Sequence, residues 1–436
     1  MKERIRPYGL FVVLCLILPF HSGYIFSQDN PNNSTRKNYK LINGQWFDGK
    51  GFRPQTFYSI DGILTKKKPR GEVETIDLAN EFLVPPFTEA HNHNLGSAIY
   101  LNREFTRQMI RRYLTAGVFY IKIPGNPVDN ATQLRREFVN RPDSVDVSYA
   151  NGVLTSHDGH PIGMTIDSFK EAGATPPSIA ELEDSSIFII ESEADLLTKW
   201  EKIMAGKPDF IKTILSHSEN FAKRRTIPKL FGYNGLDPEL LPRIVKKAHA
   251  AGLRVSTHIY SAADFRAAVR AGVDEINHMP GIRFDEGTNE ADYTLTPEDA
   301  KRAAKQGIIV VATASLAPLF SKGEELAKVQ TVQRKNLELL KRNGVRLAVG
   351  SDNYMDTSVG EAMYLKSLSV FDNAELLRMW CETGAYTTFP HRKIGYLREG
   401  YEASFIVLRG NPLTNFEKVR DVHMLFKQGF LLGANK

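Results

Sequence analysis

The feature that most constrains the fold of this chain is a repeated alternation of short apolar runs with helix-forming segments. Strands are predicted over 209–215, 253–258, 273–278, 308–313 and 345–350. Helices are predicted between them over 238–251, 262–271, 297–306 and 330–342, each followed by a glycine that stops it. Repeated strand–helix units favour a parallel sheet, and eight of them make an α/β fold of the closed (β/α)8 TIM-barrel type.

Residue types that bind metal ions stand at the ends of these predicted strands. His91 and His93 follow the apolar run 82–87. Residues i and i+2 of a strand point to the same face, so both imidazoles can reach one ion. His258, His278 and Asp352 end three later strand-like runs. Because the chemistry of a (β/α)8 barrel lies at the carboxyl ends of its strands, we expect these side chains to meet.

The two ends of the chain have a different pattern. Residues 39–76 and 404–432 alternate apolar and polar residues, with turn signals at Asn43-Gly44, Asp61-Gly62 and Gly410-Asn411-Pro412. We interpret them as strands of one small β-sandwich formed from both termini. The predicted organisation is a signal peptide over 1–28, a β-domain over 38–84 and 396–434, and the metal-dependent barrel over 85–395.

The first residues are typical of a secretory signal. A basic start precedes the apolar run 9–18 and Pro19, and this core is too short to span a bilayer comfortably. Ser27 is a small residue suited to the cleavage point. We therefore expect a secreted or periplasmic protein with no membrane span after signal removal; an uncleaved anchor is the alternative. Cleavage would leave Cys381 as the one cysteine, hence no internal disulfide.

Composition bounds the remaining classes. The chain has 436 residues, 42% of them hydrophobic and 24% charged, which suffices for one large and one small domain with a full core. Its formal charge is +6, but no stretch of Lys and Arg is interleaved with aromatic residues. A nucleic-acid partner is therefore not expected, and the predicted partner is a small molecule. A homo-oligomer is compatible with the sequence.

These motifs and their order resemble the amidohydrolase superfamily over nearly the whole chain after the signal. Residues 85–93 resemble the first-strand motif of that family, in which a Pro-Gly stretch leads into His-x-His, and 350–352 match its eighth-strand motif. His258 and His278 match its ligands from strands five and six, and 399–413 resemble its return into the β-domain. Each motif alone is weak, but five in the right order with compatible spacing are specific.

A subgroup resemblance concerns three further residues. The segment 209–212 is similar to the fourth-strand motif of the members resembling Xaa-Pro dipeptidases, within the imidazolonepropionase-like group. In those members the lysine, here Lys212, reacts with carbon dioxide to give a carbamate that bridges two metal ions. His160 and Tyr260 resemble the third-strand Gly-His and the fifth-strand His-x-Tyr. The resemblance implies that these two side chains contact the substrate carbonyl or the intermediate.

The resemblance implies a centre of two divalent metal ions, with zinc the expected metal, held by His91, His93, carbamylated Lys212, His258, His278 and Asp352. Chemistry supports the modification, because a free ammonium beside a dication is repelled and burial drives it neutral. Imidazole and carboxylate ligands suit zinc. A metal pair polarises the scissile carbonyl and lowers the pKa of water to about 7 by analogy with single zinc sites. Asp352 is then the expected proton acceptor, and Tyr260 and His160 would stabilise the oxyanion.

The predicted function is therefore that of an exported, metal-dependent amidohydrolase that cleaves an amide-type C–N bond. A dipeptide or N-acyl amino-acid substrate follows from the subgroup resemblance alone. One alternative is a mononuclear deaminase or cyclic-imide hydrolase on the same fold, and another is a binding protein that keeps the fold without catalysis. Purely structural roles also stay open for Lys212 as an ion-paired lysine, and for His160 and Tyr260 as packing residues.

The chain departs from the family pattern at four positions. Pro86 stands where glycine is usual, Glu89 where aspartate is usual, and Asn277 where an acidic residue is common. Ser404 stands where the return strand usually has aspartate. None of these is a ligand position, so the metal site is expected to survive while loop geometry and the substrate pocket differ.

The remaining histidines receive no catalytic role. We interpret three of them as structural, namely His157, His217 and His249. His217 lies five residues past Lys212 and can face the pocket, but a structural role is favoured. For His391 and His423 the sequence indicates no other residue with which they would form a site.

Overall fold

The protein is described here from a computed structural model, which covers residues 25–26, 36–96 and 102–434. Most of the signal-peptide prediction over 1–28 lies outside these residues. Its described part, Ile25–Phe26, pairs antiparallel with the last strand of the chain. None of the helices in the described ranges is long and apolar enough to cross a membrane.

The strands are numbered in chain order. They are β1 (Ile25–Phe26), β2 (Tyr39–Phe47), β3 (Phe52–Ile60), β4 (Ile63–Thr65), β5 (Glu74–Asp77), β6 (Phe82–Val84), β7 (Phe87–Glu89), β8 (Val118–Ile123), β9 (Asp146–Tyr149), β10 (Val153–Thr155), β11 (Ile187–Ile189), β12 (Ile211–Ile214), β13 (Val255–His258), β14 (Glu275–Asn277), β15 (Ile309–Val311), β16 (Arg346–Ala348), β17 (Phe405–Leu408), β18 (Val422–Lys427) and β19 (Phe430–Ala434).

The α-helices are numbered in the same way. They are α1 (Arg103–Thr115), α2 (Val128–Glu137), α3 (Ile162–Glu171), α4 (Ile179–Leu182), α5 (Glu193–Ala205), α6 (Phe221–Arg224), α7 (Leu241–Ala250), α8 (Ala262–Ala271), α9 (Pro297–Gln306), α10 (Ala317–Phe320), α11 (Gly323–Arg342), α12 (Ser358–Ser367), α13 (Asn373–Leu377) and α14 (Gly384–Thr388). Short 3₁₀ helices cover Ser218–Asn220, Pro228–Leu230, Glu290–Tyr293, Ala314–Leu316 and Phe416–Arg420, and a π-helix covers Arg378–Thr383.

The middle of the chain is a mixed α/β structure with two parallel sheets. One has the strand order β11-β10-β12-β13-β14-β15-β16 and the other β7-β8-β9, and every pair in both is parallel. The register aligns the strand ends, because His258 pairs with both Ile214 and Asn277, and Val311 pairs with both Asn277 and Ala348. The carboxyl ends of five strands therefore lie level with one another.

The helix signals in the sequence predicted this region well. Helices α8 and α9 have the predicted bounds, because Ser261 and Thr296 each form a capping box at the start. Gly272 and Gly307 end them in the left-handed conformation, with φ of 80° and 69°. The helix predicted over 330–342 instead begins at Gly323, where the cap position offers no side-chain hydrogen bond to mark the start.

The strands near the two termini share one antiparallel-rich sheet, with the order β1-β19-β18-β17-β6-β2-β3-β4 and with β5 beside β2. Its apolar face has a core of its own, in which the ring of Trp46 lies 4.7 Å from that of Phe57 and 5.6 Å from that of Phe405. Chain segments from both ends are thus needed to build it. The predicted turn at Gly410-Asn411-Pro412 lies between β17 and the 3₁₀ helix that precedes β18.

One predicted turn in this sheet is wrong. The strand β2 runs without interruption through Asn43-Gly44, where the pairing with β3 shifts at a β-bulge. Asn43 takes up the left-handed conformation with φ of 55°, so the residue pair that favours a turn here produces a bulge. The other predicted turn, Asp61-Gly62, is correct, with φ of 49° and 80°.

A stacked aromatic pair ties β7 to the π-helix. The rings of Phe87 and Trp380 are 3.7 Å apart and 5° from parallel, and the Trp380 indole N–H donates to Ser358 Oγ at 2.9 Å. We expect Trp380→Ala to lower the free energy of unfolding by about 3–5 kcal/mol through the cavity it leaves. Thermal and chemical denaturation measure this, with Trp200→Ala, on the half-buried face of α5, as the milder control. Equal losses in both variants would contradict a central role for the stack.

Candidate active site

Five histidine rings predicted from the sequence form one continuous cluster at the carboxyl ends of the parallel strands. The ring centroids of His91 and His93 are 5.3 Å apart, and those of His91 and His278 are 4.8 Å apart. The row continues from His278 to His258 at 4.3 Å and from His258 to His160 at 4.9 Å. The structure thus brings together residues that are up to 187 positions apart in the chain, since the row spans His91 to His278.

The carboxylate of Asp352 lies among these rings. Its Oδ1 is 3.6 Å from His91 Nε2 and 3.5 Å from His93 Nε2, and its Oδ2 is 4.0 Å from His278 Nε2. These separations are too long for hydrogen bonds. They resemble the spacing of donor atoms around a shared ion, about 3.3 Å for tetrahedral zinc with bonds of about 2.0 Å. His91, His93 and Asp352 each offer a ligand atom within 4.8 Å of the others.

Several ring nitrogens in the cluster are buried and have no hydrogen-bond partner among the residues that the structure describes. They are Nδ1 of His91, Nδ1 of His160, Nε2 of His258 and Nε2 of His278. A buried polar atom without a partner is costly, and native proteins rarely leave four together. A metal ion would supply the missing partner for Nε2 of His258 and of His278, and these nitrogens together with the Asp352 carboxylate fit a cation site.

The second nitrogens of two rings are held by the protein. His93 Nδ1 is 3.2 Å from the carbonyl oxygen of Gly125, which can only accept, so Nδ1 carries the hydrogen and Nε2 the lone pair. His278 Nδ1 is 2.7 Å from Thr313 Oγ1. Hydrogen bonds of this kind orient metal-binding imidazoles and select the tautomer that binds.

Burial keeps the whole cluster neutral. It lowers the pKa of His93 to about 4 and that of His160 to about 3, and it lowers the pKa of His91, His258 and His278 well below the usual range. The imidazole lone pairs are therefore available at neutral pH. Burial also raises the pKa of Asp352 to about 7, against the opposing effect of Lys212. Nearby positive charge would restore the carboxylate.

Lys212 lies inside β12, and its side chain is buried. Its Nζ donates a short hydrogen bond to Asn277 Oδ1. Burial lowers the pKa of this lysine to about 7, although Glu275 and Asp352 oppose the shift. A neutral amine is the form that reacts with carbon dioxide. Asn277, one of the departures from the family pattern, thus supplies the acceptor that holds the amine in place.

Glu275 is the carboxylate that could pair with Lys212 if this lysine were purely structural, but Glu275 bonds to other side chains. Glu275 accepts from Lys122 Nζ at 2.7 Å, and both side chains are buried. It also accepts from Ser256 Oγ and from the Asn277 amide, both at 2.8 Å. The sequence analysis missed this ion pair below the cluster. Its one signal in the sequence was that Lys122 is a charged residue inside the otherwise apolar strand β8.

The two predicted oxyanion residues adjoin the cluster from the same side. The Tyr260 ring is 4.5 Å from that of His258 and 6.3 Å from that of His160. Both residues follow strand ends, His160 after β10 and Tyr260 after β13. Their positions are those that the sequence predicted, and their roles remain predictions.

A buried network that the sequence analysis missed joins the two strand ends bearing His91 and Asp352. Glu89 accepts from the Ser351 backbone N–H at 2.7 Å and from Ser351 Oγ at 2.8 Å. The Asn92 amide donates to Ser351 Oγ at 3.0 Å, and its carbonyl accepts from the His93 backbone N–H at 2.7 Å. Glutamate in place of aspartate at position 89 is thus accommodated.

The other histidines mostly contact carboxylates outside the cluster. His249 Nε2 is 2.8 Å from Asp274, and His423 Nδ1 contacts Glu81. His157 joins Asp158 and Glu191 in a second group of metal-ligand types. That group already contains a cation, because Arg225 lies 2.9 Å from Glu191 and 3.5 Å from Asp158.

Comparison with known proteins identifies a matching family and a related enzyme. Residues 143–432 match the model of the amidohydrolase family. Ochratoxinase from Aspergillus niger is 28% identical over 209 residues, which are 44% of this chain and 41% of ochratoxinase, so the match spans less than half of that relative.

Solved structures show the same fold over most of the chain. The crystal structure of A. niger ochratoxinase aligns with a TM-score of 0.70 and 19% identity over 91% of this chain and 96% of that one. A Xaa-Pro dipeptidase with methionine bound in its active site aligns with a TM-score of 0.67 and 15% identity over 91% and 100%. At these identities the likeness concerns the fold. Since the family match covers more than half of its length, the chain belongs to the amidohydrolase family, as its motifs predicted.

Proposed function

We propose that this protein is a metal-dependent hydrolase that cleaves an amide-type C–N bond with water at the histidine cluster. The observation that carries the proposal is the buried group of neutral imidazoles around the Asp352 carboxylate, in which Nε2 of His258 and of His278 have no hydrogen-bond partner among the described residues. A protein that needed the fold only for binding would have no physical reason to keep such costly groups together. This weighs against the alternative of a non-catalytic binding protein.

The proposed centre holds two divalent ions, expected to be zinc, through His91, His93, carbamylated Lys212, His258, His278 and Asp352. Six groups are too many for one tetrahedral ion. Bound there, the ions would polarise the scissile carbonyl and make water acidic enough to attack near neutral pH. Asp352 would take the proton of the attacking water and deliver it to the leaving nitrogen. Tyr260 and His160 would donate to the oxygen that gains negative charge.

A dipeptide or N-acyl amino acid is the proposed substrate class, by analogy with the Xaa-Pro dipeptidase of similar fold. The test is a panel of dipeptides and N-acyl amino acids incubated with zinc-loaded protein, with release of the free amino acid as the readout. His91→Ala should abolish turnover, whereas His391→Ala, at an exposed histidine outside the cluster, should not. Wild-type protein that cleaves no amide in a broad panel would contradict the proposal.

A single-ion deaminase or cyclic-imide hydrolase is the second candidate, and one observation favours it. Within the described ranges, the group of potential ligand atoms at the cluster that all lie within 4.8 Å of one another consists of His91, His93 and Asp352. Three ligands and an open position suffice for one catalytic ion. One metal ion per chain together with ammonia release from an amino-substituted ring would favour this candidate over the first.

We also propose that the parallel strands close into the predicted (β/α)8 barrel over 85–395, beside a β-sandwich domain built from 38–84 and 396–434. Two backbone hydrogen bonds between the parallel sheets support closure. Ala90 N–H donates to the Val349 carbonyl at 3.0 Å, and Asp209 N–H donates to the Tyr149 carbonyl at 2.9 Å. Export remains a proposal from the N-terminal sequence, and N-terminal sequencing of protein recovered outside the cytoplasm tests it.

Tyr260→Phe separates chemistry from packing at the rim of the cluster. If the Tyr260 hydroxyl donates to the oxyanion, the change should lower kcat by about 10²–10³-fold with metal content unchanged. Steady-state kinetics on a confirmed substrate measure this. A raised KM with unchanged kcat would mean uniform substrate binding, and no effect on either would mean that the ring only packs. Either outcome would refute the oxyanion role.

A further inference from the structure

His217 differs from every histidine of the cluster in its surroundings. It follows β12, and its ring is buried between two carboxylates, with Nδ1 3.1 Å from Glu219 and Nε2 2.8 Å from Asp285. Both ring nitrogens therefore face acceptors, which only the imidazolium form satisfies fully. Burial opposes that charge, but the hydrogen bonds to Asp285 and Glu219 outweigh it and raise the pKa of His217 to about 9.

The two carboxylates tie His217 to loops that follow other strands. Glu219 also accepts from Ser261 Oγ at 2.9 Å, and Ser261 caps the start of α8 directly after Tyr260. Asp285 lies in the segment after β14 and pairs with Arg283 at 2.9 Å. The imidazolium thus connects the segments that follow β12, β13 and β14.

A third carboxylate holds the backbone of the same segments. Asp264 accepts from the His217 N–H at 2.9 Å and from the Tyr260 N–H at 3.0 Å. It also accepts from the Ser218 N–H at 2.7 Å and the Ser261 N–H at 3.0 Å. His217 has φ of 51°, a left-handed conformation that costs a residue with a side chain about 1 kcal/mol or more. The surrounding bonds keep it there.

The held ring faces the proposed oxyanion donor. The His217 and Tyr260 rings are 9° from parallel with centroids 6.0 Å apart, and Tyr293 stands edge-on to His217 at 6.3 Å. Tyr260 in turn lies 4.5 Å from the His258 ring. The Tyr260 ring therefore has the His217 ring and the His258 ring as neighbours.

We propose that His217 is a positioning residue whose ring, clamped between Glu219 and Asp285, fixes Tyr260 beside the histidine cluster. The catalytic role of Tyr260 in this inference rests on the proposed function. The placement of Tyr260 by His217 does not depend on which substrate is bound. This positioning role replaces the purely structural role that the sequence favoured for His217.

A double-mutant cycle tests the inference. His217→Gln keeps one donor and removes the charge and the aromatic face. It should lower kcat by about tenfold or more with KM little changed, because a displaced catalytic group costs rate more than affinity. In a Tyr260→Phe background the same change should have almost no further effect. His249→Gln, at an exposed histidine bonded to Asp274, is the matched control and should leave kcat unchanged.

Crystal structures of wild type and His217→Gln give a readout that needs no substrate. The Tyr260 ring should shift by about 1 Å or more in the variant while the other cluster residues keep their places. An unmoved Tyr260 ring, or an equal kcat loss in both backgrounds, would overturn the positioning role. If the ring moves but wild-type protein hydrolyses no amide, the proposed function fails and the positioning role stands.

Discussion

Asp352→Asn should lower turnover by about 10²–10⁴-fold, the loss expected when a general base is removed. Asparagine keeps the shape of the side chain and one oxygen among the rings of His91 and His93. It cannot accept the proton of the attacking water. The loss should be larger still if metal affinity also falls, so metal content is measured beside kcat.

The control for this change is close in the chain. Asp356→Asn makes the same substitution four residues later, at a carboxylate 3.5 Å from Arg112. It should leave turnover within a few-fold of wild type. An Asp352→Asn protein that turns over a confirmed substrate at the wild-type rate would remove Asp352 from the mechanism.

Lys212→Ala should lose one of the two proposed ions and lower kcat on the order of 10²-fold or more. Loss of a residue that only hydrogen-bonds to a metal ligand already costs about 10–100-fold, and loss of a ligand should cost at least as much. The reason is that alanine removes the side chain whose carbamate is proposed to bridge the two ions. The alanine leaves space at the end of the missing side chain, where a short carboxylate such as propionate can enter. Added propionate should therefore restore part of the metal content and activity.

Lys212→Met is the matched comparison. It also removes the amine, but it fills the space, so propionate should restore nothing. Elemental analysis and kcat measured with and without propionate decide between the two variants. Two ions per chain and full activity in Lys212→Ala without added carboxylate would contradict the bridging role.

The clustering of the proposed ligands was predictable because strand periodicity is a local property. His91 and His93 are two residues apart after an apolar run, and the other ligands end runs of the same kind. Once the parallel sheet is inferred, its geometry brings the strand ends together. The same reasoning gave α8 and α9 their bounds, since capping residues and terminal glycines act within one turn of helix.

Contacts between distant residues were not predictable in this way. Glu89 and Ser351 are 262 positions apart, and nothing local marks them as partners. Lys122 and Glu275 pair across the interior at a separation of 153 positions. These contacts depend on which inward-facing side chains meet, and that follows from the register and curvature of the sheets.

His217 shows the same limit at the site itself. The sequence placed it five residues beyond Lys212, but its role depends on Glu219 and Asp285, which approach its ring from two different segments. The bulge at Asn43 is a smaller example. The preference of this residue for the left-handed conformation predicted a turn, but in the structure it forms a β-bulge.

Anomalous diffraction from crystals of zinc-loaded protein is the most direct test that the histidine cluster is a metal centre. Data collected on both sides of the zinc absorption edge locate the ions independently of any substrate. We predict two anomalous peaks, one beside His91, His93 and Asp352 and one beside His258 and His278, with carbamylated Lys212 between them. A single peak beside an unmodified Lys212 would contradict the two-ion centre, and no peak at the cluster would contradict the metal-dependent hydrolase altogether.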